Sequence, residues 1–156
     1  FSCEIGHTSI DYNGRLCYCG NRGCAELYTR TSEILRNTGA KSIQELSVLL
    51  EQGEVSPRIQ EGLDHYCEIL LMLLINIANT FDPQIILLGD EVSDVLDCKI
   101  QSLAKELNIR KLQQNFPKII LDKISIPLEL GGVSLVFDRF FKCELPCSFF
   151  DSGEKD

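Results

Sequence analysis

Three cysteines and one histidine crowd into a short segment near the start of the chain, and this cluster constrains the fold more than any other feature. They are His7, Cys17, Cys19 and Cys24. Three thiolates and one imidazole match the donor set of a tetrahedral structural zinc site. The Cys-x-Cys spacing is tighter than the common two-residue knuckle. The spacing alone therefore equally allows three reduced cysteines on a loop with His7 exposed.

Glycines punctuate the same segment at Gly14, Gly20 and Gly23. Glycine lets a backbone turn tightly enough for distant ligands to converge on one point. Helix signals are weak across residues 1–24. We therefore expect an irregular loop that is organised by a metal ion.

Two carboxylates flank the cluster. Glu4 precedes His7 by three residues, and Glu26 lies just beyond Cys24. If a metal held Cys24, it would hold Glu26 near His7, and two carboxylates with an imidazole can hydrogen-bond several hydroxyls of a polyol. The alternative is a solvated acidic loop, because isolated glutamates mostly lie on protein surfaces.

Composition narrows the class of protein. The chain has 156 residues, with 15 Lys+Arg, 23 Asp+Glu and a net charge of −8. This length suits one domain or one large lobe, and the acidic balance argues against a nucleic-acid-binding surface, which needs clustered Lys and Arg. The longest apolar stretch, residues 69–75, is far shorter than the ~20 residues of a membrane span.

The chain has eight cysteines, but its long apolar segments do not need disulfide bonds to fold. We therefore expect a reducing, cytoplasmic compartment. The cysteines outside the cluster are expected to be small buried apolar groups or exposed thiols; they are Cys3, Cys67, Cys98, Cys143 and Cys147.

Helices and buried strands are predicted to alternate, which indicates an α/β architecture. Ser42 and Glu45 form a capping box, and Ser56-Pro57 begins the longest helix, which ends before Asp82-Pro83. The predicted helices are 25–37, 42 to about 53, 56–81, about 92–107 and 133–142. The predicted strands, 85–88 and 119–126, are continuously apolar and are expected to be buried on both faces. Residues 146–156 are expected to form a disordered tail.

The residues Glu4-Ile-Gly-His7, followed by Gly14-Arg-Leu-Cys17-Tyr-Cys19-Gly20-Asn-Arg-Gly23-Cys24-Ala-Glu26, resemble the signature of the ROK family (repressors, open reading frames and sugar kinases). The later order of helices and strands is also similar to that of the family. The resemblance implies the C-terminal lobe of a two-lobed, actin- or hexokinase-like fold built on ribonuclease-H-like lobes. That lobe would cover residues 1–145, with the zinc and sugar loop at 1–26 and the α/β and helical core at 27–145.

The resemblance also implies roles for individual residues. His7, Cys17, Cys19 and Cys24 would bind zinc, while Glu4, His7 and Glu26 would face the hydroxyls of a monosaccharide or sugar phosphate. His7 would use one ring nitrogen for the metal and the other for the sugar, since metal ligation fixes its tautomer and orientation. The sequence does not identify the sugar.

Two departures from the family pattern stand out. Cys3 replaces the glycine that commonly precedes Glu4. After the strand at 85–88, family kinases carry a glycine pair where the backbone approaches the nucleotide, whereas this chain has Gly89-Asp90-Glu91. Two carboxylates there would repel the phosphates of ATP unless Mg²⁺ intervened. Alternatively, Asp90 only caps the next helix.

Three interpretations of the whole protein follow. The chain begins at Phe1 inside the motif without a methionine, so we expect a fragment whose upstream part lies elsewhere. The favoured interpretation is a sugar-responsive repressor, forming a homodimer or higher oligomer and binding DNA only through an upstream domain. The second is an ATP- and Mg²⁺-dependent sugar kinase, with Gly89 near the nucleotide. The third is a metal-stabilised dimerisation lobe. No catalytic residue is assigned, because this chain lacks a phosphate loop and a general base.

Overall fold

The computed structural model describes residues 4–89, 91–110, 112 and 117–122. The chain divides into two compact units, Phe1–Lys123 and Ile124–Asp156, and every described residue belongs to the first. A 3-10 turn, Ile5–His7, precedes the regular elements. These are α1 (Glu26–Thr29), α2 (Thr31–Thr38), α3 (Ile43–Glu51), α4 (Pro57–Phe81), β1 (Ile85–Leu88), α5 (Ser93–Leu96), α6 (Ile100–Arg110) and β2 (Lys118–Leu121).

The longest helix, α4, begins and ends where the sequence predicts. The Ser56 hydroxyl accepts a hydrogen bond from the Ile59 N–H at 3.3 Å, and Pro57 occupies the first turn. The helix ends at Asp82, whose left-handed φ of 43° directs the chain away from the helix axis. Aspartate is among the few non-glycine residues that adopt this conformation readily.

The capping box of α3 is confirmed in one half and wrong in the other. The Ser42 hydroxyl accepts the Glu45 N–H at 3.1 Å, as predicted. The Glu45 carboxylate, however, accepts the backbone N–H of Lys41 at 2.6 Å, not that of Ser42. The glutamate side chain thus reaches one residue further back and still satisfies a backbone donor ahead of the helix.

Two helices predicted as continuous are each divided in the structure. The first, 25–37, breaks at Arg30, whose extended ψ of 147° separates α1 from α2. The second, 92–107, divides into α5 and α6 at a turn that brings Lys99 Nζ to 2.6 Å from the Asp64 carboxylate of α4. Helical periodicity does not register a single residue of extended backbone or one short turn, which explains both errors.

The two described strands form a parallel pair in the register Ile85↔Lys118 to Leu88↔Leu121. The prediction that the first strand is buried on both faces is wrong for the described part of the chain. Ile86 lies in the core, but Ile85 and Leu87 are 54% and 66% exposed. The described helices cover only one face of this pair.

The hydrophobic core of the described residues is built around α4, against which α2 packs. Its fully buried side chains come from α4 itself and from the helices around it and include Ile34, Leu46, Leu63, Leu74, Val95 and Leu107. Among the helices of the described chain, none is long and apolar enough to cross a membrane.

Several predictions lie outside the described residues. These are the part of the second strand beyond residue 122, the helix at 133–142, the tail at 146–156 and the environment of Asp90, Cys3, Cys143 and Cys147. The five described cysteines are all free thiols. Cys67 is buried in α4, whereas Cys98 is exposed.

Candidate metal and ligand site

The segment that carries the cysteines folds as a compact loop with two turns. Antiparallel bridges join Ser9 to Cys24 and Leu16 to Arg22. The outer turn is closed by the Gly20 N–H, which donates to the Cys17 carbonyl at 3.0 Å. These backbone contacts bring the two ends of the loop together, and the 3-10 turn of His7 lies beside them.

Gly23 occupies the most crowded position in this loop. Its φ is +65°, and a Cβ placed there would lie 1.7 Å from the Asp11 carbonyl oxygen. No side chain fits at that distance. The Gly23 N–H donates to the Arg15 carbonyl at 2.8 Å, and its own carbonyl accepts from Ile10 at 2.9 Å. Gly23 therefore allows its backbone to pass close to that of Asp11 immediately before Cys24.

The four predicted ligands converge. One donor atom from each of His7, Cys17, Cys19 and Cys24 lies within 4.8 Å of all the others. The Cys17 sulfur is 3.6 Å from His7 Nδ1, and the Cys19 and Cys24 sulfurs are 3.6 Å apart. Metal–ligand distances of about 2.3 Å for sulfur and 2.1 Å for nitrogen give tetrahedral edges of about 3.5–3.8 Å. The cluster can hold a metal ion.

The thiols differ in how readily they lose their protons. Burial raises the pKa of Cys24 to about 12, and the neighbouring thiols of Cys19 and Cys17 add to this. The backbone of Asn21 hydrogen-bonds the Cys19 sulfur and lowers the pKa of that thiol. Since metals bind thiolates, a metal entering this cluster must displace the Cys24 proton.

His7 presents its two ring nitrogens to different groups. Nδ1 faces the Cys17 sulfur, while Nε2 lies 2.8 Å from the Tyr18 hydroxyl and 3.3 Å from the Glu26 carboxylate. The Tyr18 ring and the imidazole also pack edge to face, with centroids 5.0 Å apart. A metal on Nδ1 would leave Nε2 as an N–H donor directed at these oxygens.

Glu26 is held by a cation from the other side. Arg30 donates to the same Glu26 oxygen from Nε at 3.2 Å and from Nη2 at 2.6 Å. Hydrogen bonding from Arg30 lowers the pKa of the Glu26 carboxyl, with smaller contributions from the charges of Arg30 and His7. The carboxylate is therefore ionised and fixed in orientation.

Glu4 lies at the edge of this group. Its backbone carbonyl accepts the His7 N–H at 3.0 Å, and the residue is exposed. The structure thus brings His7 and Glu26 into direct contact and ties Glu4 to His7 through the backbone.

Two residues at the site, Tyr18 and Arg30, were not singled out from the sequence. Tyr18 sits between two predicted ligands, so its position carried a signal. Arg30 follows Glu26 by four residues, a spacing at which helical side chains meet.

A further set of contacts, also not predicted, joins the loop that carries the cysteines to α1 and α2. The Arg15 guanidinium pairs with Glu33 of α2 at 3.0 Å, donates to the Leu27 carbonyl and stacks over the Tyr28 ring at 4.6 Å. The Tyr28 hydroxyl accepts the Arg15 N–H at 3.1 Å. These contacts join sequence positions too far apart for a local pattern to reveal.

Gly89, the predicted nucleotide-side residue, follows β1. A Cβ there would meet nothing within 4 Å among the described atoms, so local packing does not require glycine. Glu91 is exposed, and Asp90 lies outside the described residues.

The parallel strand pair and the helices packed on it form an α/β fold, which is similar to that of solved sugar kinases. The chain is similar to a ROK family glucokinase from Streptomyces griseus, solved with glucose and AMPPNP, with a TM-score of 0.63. The identity is 23%, over 77% of this chain and 46% of the other. It is similar also to a ROK family transcriptional regulator homologous to the E. coli MLC protein, with a TM-score of 0.61. Here the identity is 22%, over 76% and 34% of the two chains.

Comparison at the level of sequence identifies the family. The model of the ROK family matches residues 1–126, and the chain belongs to that family. The resemblance drawn from the motif is confirmed.

Relatives of two kinds align with the chain. It is 33% identical to the xylose repressor of Bacillus subtilis over 90% of its length and 38% of the repressor. For the DNA-binding transcriptional repressor Mlc of Escherichia coli the identity is 25%, over 91% of this chain and 38% of Mlc. An N-acetylmannosamine kinase of Vibrio cholerae is 30% identical over 55% of this chain and 31% of the kinase. The chain thus spans well under half the length of these relatives.

Proposed function

We propose that this chain is the sugar-sensing and dimerisation part of a ROK-type transcriptional regulator whose DNA-binding part lies outside it. It would hold a structural Zn²⁺ ion through His7, Cys17, Cys19 and Cys24. The effector would be a monosaccharide or sugar phosphate, bound through Glu4, His7 and Glu26. One observation carries the proposal: His7 faces the thiol cluster with Nδ1 and the Glu26 carboxylate with Nε2.

The donor and acceptor pattern of this group suits a hydroxyl ligand. A sugar hydroxyl both donates and accepts a hydrogen bond. With Nδ1 on the metal, His7 Nε2–H donates, and the ionised Glu26 accepts. Because the metal would fix the imidazole and Arg30 fixes the carboxylate, the ligand would find both groups already in position.

Two observations favour a regulator over a kinase. The repressors named above align over about nine-tenths of the chain, and the kinase over 55%. In addition, Glu91 and Asp90 follow Gly89, where carboxylates would repel the phosphates of a nucleotide. The second candidate is the C-terminal lobe of an ATP- and Mg²⁺-dependent sugar kinase. It is favoured by the room beside Gly89, where no atom of the described residues lies within 4 Å of a Cβ position, because a nucleotide needs such room.

In the proposed regulator, the sugar shifts the equilibrium between two arrangements of a dimer. Binding would favour one relative placement of the lobes and so change the spacing of two DNA-reading helices. The sugar can shift this equilibrium only by its difference in affinity for the two arrangements.

The test of sugar binding is calorimetric titration of the full-length protein with D-xylose, D-glucose, N-acetyl-D-mannosamine and their phosphates. Glu26→Gln should weaken binding of the best ligand at least about tenfold, since a hydrogen bond to a charged group contributes about 1.5–3 kcal/mol. Glu54→Gln, at an exposed position beyond α3, is the matched control and should bind as the wild type does. Unchanged affinity in Glu26→Gln would exclude that carboxylate as a ligand contact.

Two further measurements separate the remaining alternatives. Elemental analysis of protein purified without chelators should find about one zinc per chain, and a zinc-free protein with a native fold would refute the metal assignment. A coupled phosphorylation assay with the bound sugar should show no turnover. Turnover at about 1–100 per second, the usual range for kinases, would replace the regulator with the kinase.

A further inference from the structure

The Tyr18 hydroxyl stands where the proposed function requires a hydroxyl of the ligand. It lies 2.8 Å from His7 Nε2, and the Glu26 carboxylate lies 3.3 Å from the same nitrogen. A phenol hydroxyl accepts one hydrogen bond and donates another, as a sugar hydroxyl does. Tyr18 therefore occupies the hydrogen bond of His7 Nε2 that the effector would use, beside the Glu26 carboxylate.

Little else holds this side chain in place. Tyr18 is 74% exposed, so packing contributes little to its position. Among the described residues, its other ring contacts are an edge-to-face contact with His7 and the Arg30 guanidinium, 5.7 Å from the ring centroid. Because the ring is on the surface, it can rotate about its side-chain bonds without disturbing the core.

We propose that Tyr18 is a specificity-determining residue whose hydroxyl occupies the ligand's hydrogen-bonding position and must be displaced by the effector. This inference rests on the proposed function, in which Glu26 and His7 bind the sugar. Only a ligand whose hydroxyl restores the bond to His7 offsets the free-energy cost of displacing Tyr18. A deoxy analogue leaves His7 without that bond, so it is rejected more strongly than it would be by an open site.

Tyr18→Phe tests the hydroxyl by itself, because the ring and its contact with His7 remain. Calorimetric titration of zinc-loaded, full-length protein with D-xylose and D-glucose should give about fivefold tighter binding of the cognate sugar in this variant. Tyr12→Phe is the matched control on the same loop; Tyr12 is 84% exposed and should bind as the wild type does. Unchanged or weaker binding by Tyr18→Phe overturns the proposal.

Glu26→Gln in the same titration separates this inference from the proposed function. If Glu26→Gln loses binding while Tyr18→Phe equals the wild type, the sugar site stands and the competition is refuted. If Glu26→Gln binds normally, the proposed function fails first, and the inference fails with it.

A measurement without sugar tests the contact directly. In protein with ¹⁵N-labelled histidine, Tyr18→Phe should speed exchange of the His7 Nε2 proton with water, while the exposed His65 serves as the reference. Equal exchange in the two proteins would show that the hydroxyl does not cover His7 and would overturn the proposal.

Discussion

Replacing Gly23 by alanine should disrupt the loop that carries the candidate metal ligands, because the new methyl group has no room. Its Cβ would stand 1.7 Å from the Asp11 carbonyl oxygen, about half an ordinary contact distance, at a φ of +65°. A left-handed conformation costs a non-glycine residue about 1–2 kcal/mol. Relieving the clash would also break the hydrogen bonds of Gly23 with Arg15 and Ile10, each worth about 1 kcal/mol. The folded loop should therefore lose about 3–4 kcal/mol of stability.

Gly20→Ala is the matched control, because it separates backbone strain from crowding. Gly20 also has a positive φ, +89°, but a Cβ there would meet nothing within 4 Å. Only the conformational cost applies, about 1–2 kcal/mol. If the loop orders around the metal, these costs appear as lost metal affinity. Gly23→Ala should then bind zinc more than about a hundredfold more weakly, and Gly20→Ala about tenfold more weakly.

The assay is competition for zinc between the full-length protein and a chromophoric chelator, with far-UV circular dichroism to show that the helices persist. The two variants should differ by at least about tenfold in zinc affinity. Equal losses in both would refute the steric argument, since they share the positive φ and differ only in the Asp11 contact.

Glu33→Gln should destabilise the protein by about 1–2 kcal/mol at neutral pH, because a largely buried carboxylate would lose its charged hydrogen bonds. Burial opposes the charge of Glu33, but Arg15 and Arg36 outweigh it and lower the pKa of the carboxyl. The stabilisation is complete above the unfolded pKa of about 4.3 and is lost as the pH falls through the lower folded value. The free energies of unfolding of the two proteins in urea should therefore approach each other as the pH falls below the unfolded pKa, and a constant difference would contradict this account. Leu74→Ala, at a fully buried site in α4, should lower the free energy of unfolding by about 2–5 kcal/mol. Met72→Ala, at a more exposed site in the same helix, should lower it by under about 1 kcal/mol. Equal shifts of the urea midpoint in the two variants would refute the assignment of the core.

The convergence of the four candidate metal ligands was predictable because metal-binding chemistry is restricted to a few residue types. Soft thiolates and an imidazole at close spacing have few other uses together, and the glycines between them mark the turns that such convergence requires. The long helix was equally predictable, since a serine cap, a proline in the first turn and regular apolar spacing all agree on its limits.

The groups that meet at His7 were decided only by the tertiary structure. Nothing in the spacing of Tyr18 and Glu26 indicates that the tyrosine hydroxyl and the carboxylate would both lie against His7 Nε2. Arg15 and Glu33 are likewise joined only because the loop folds back onto α2. Local sequence patterns record periodicity and capping, which act over a few residues.

The sequence by itself thus determined which residues can ligate a metal, which family the chain resembles and where the main helix lies. The tertiary structure decided which strand face is covered, where two helices break and which side chains meet at His7. The physical reason is the range of the interactions. Ligand chemistry and helix caps are local, whereas burial and the ion pairs between distant residues depend on segments brought together only by folding.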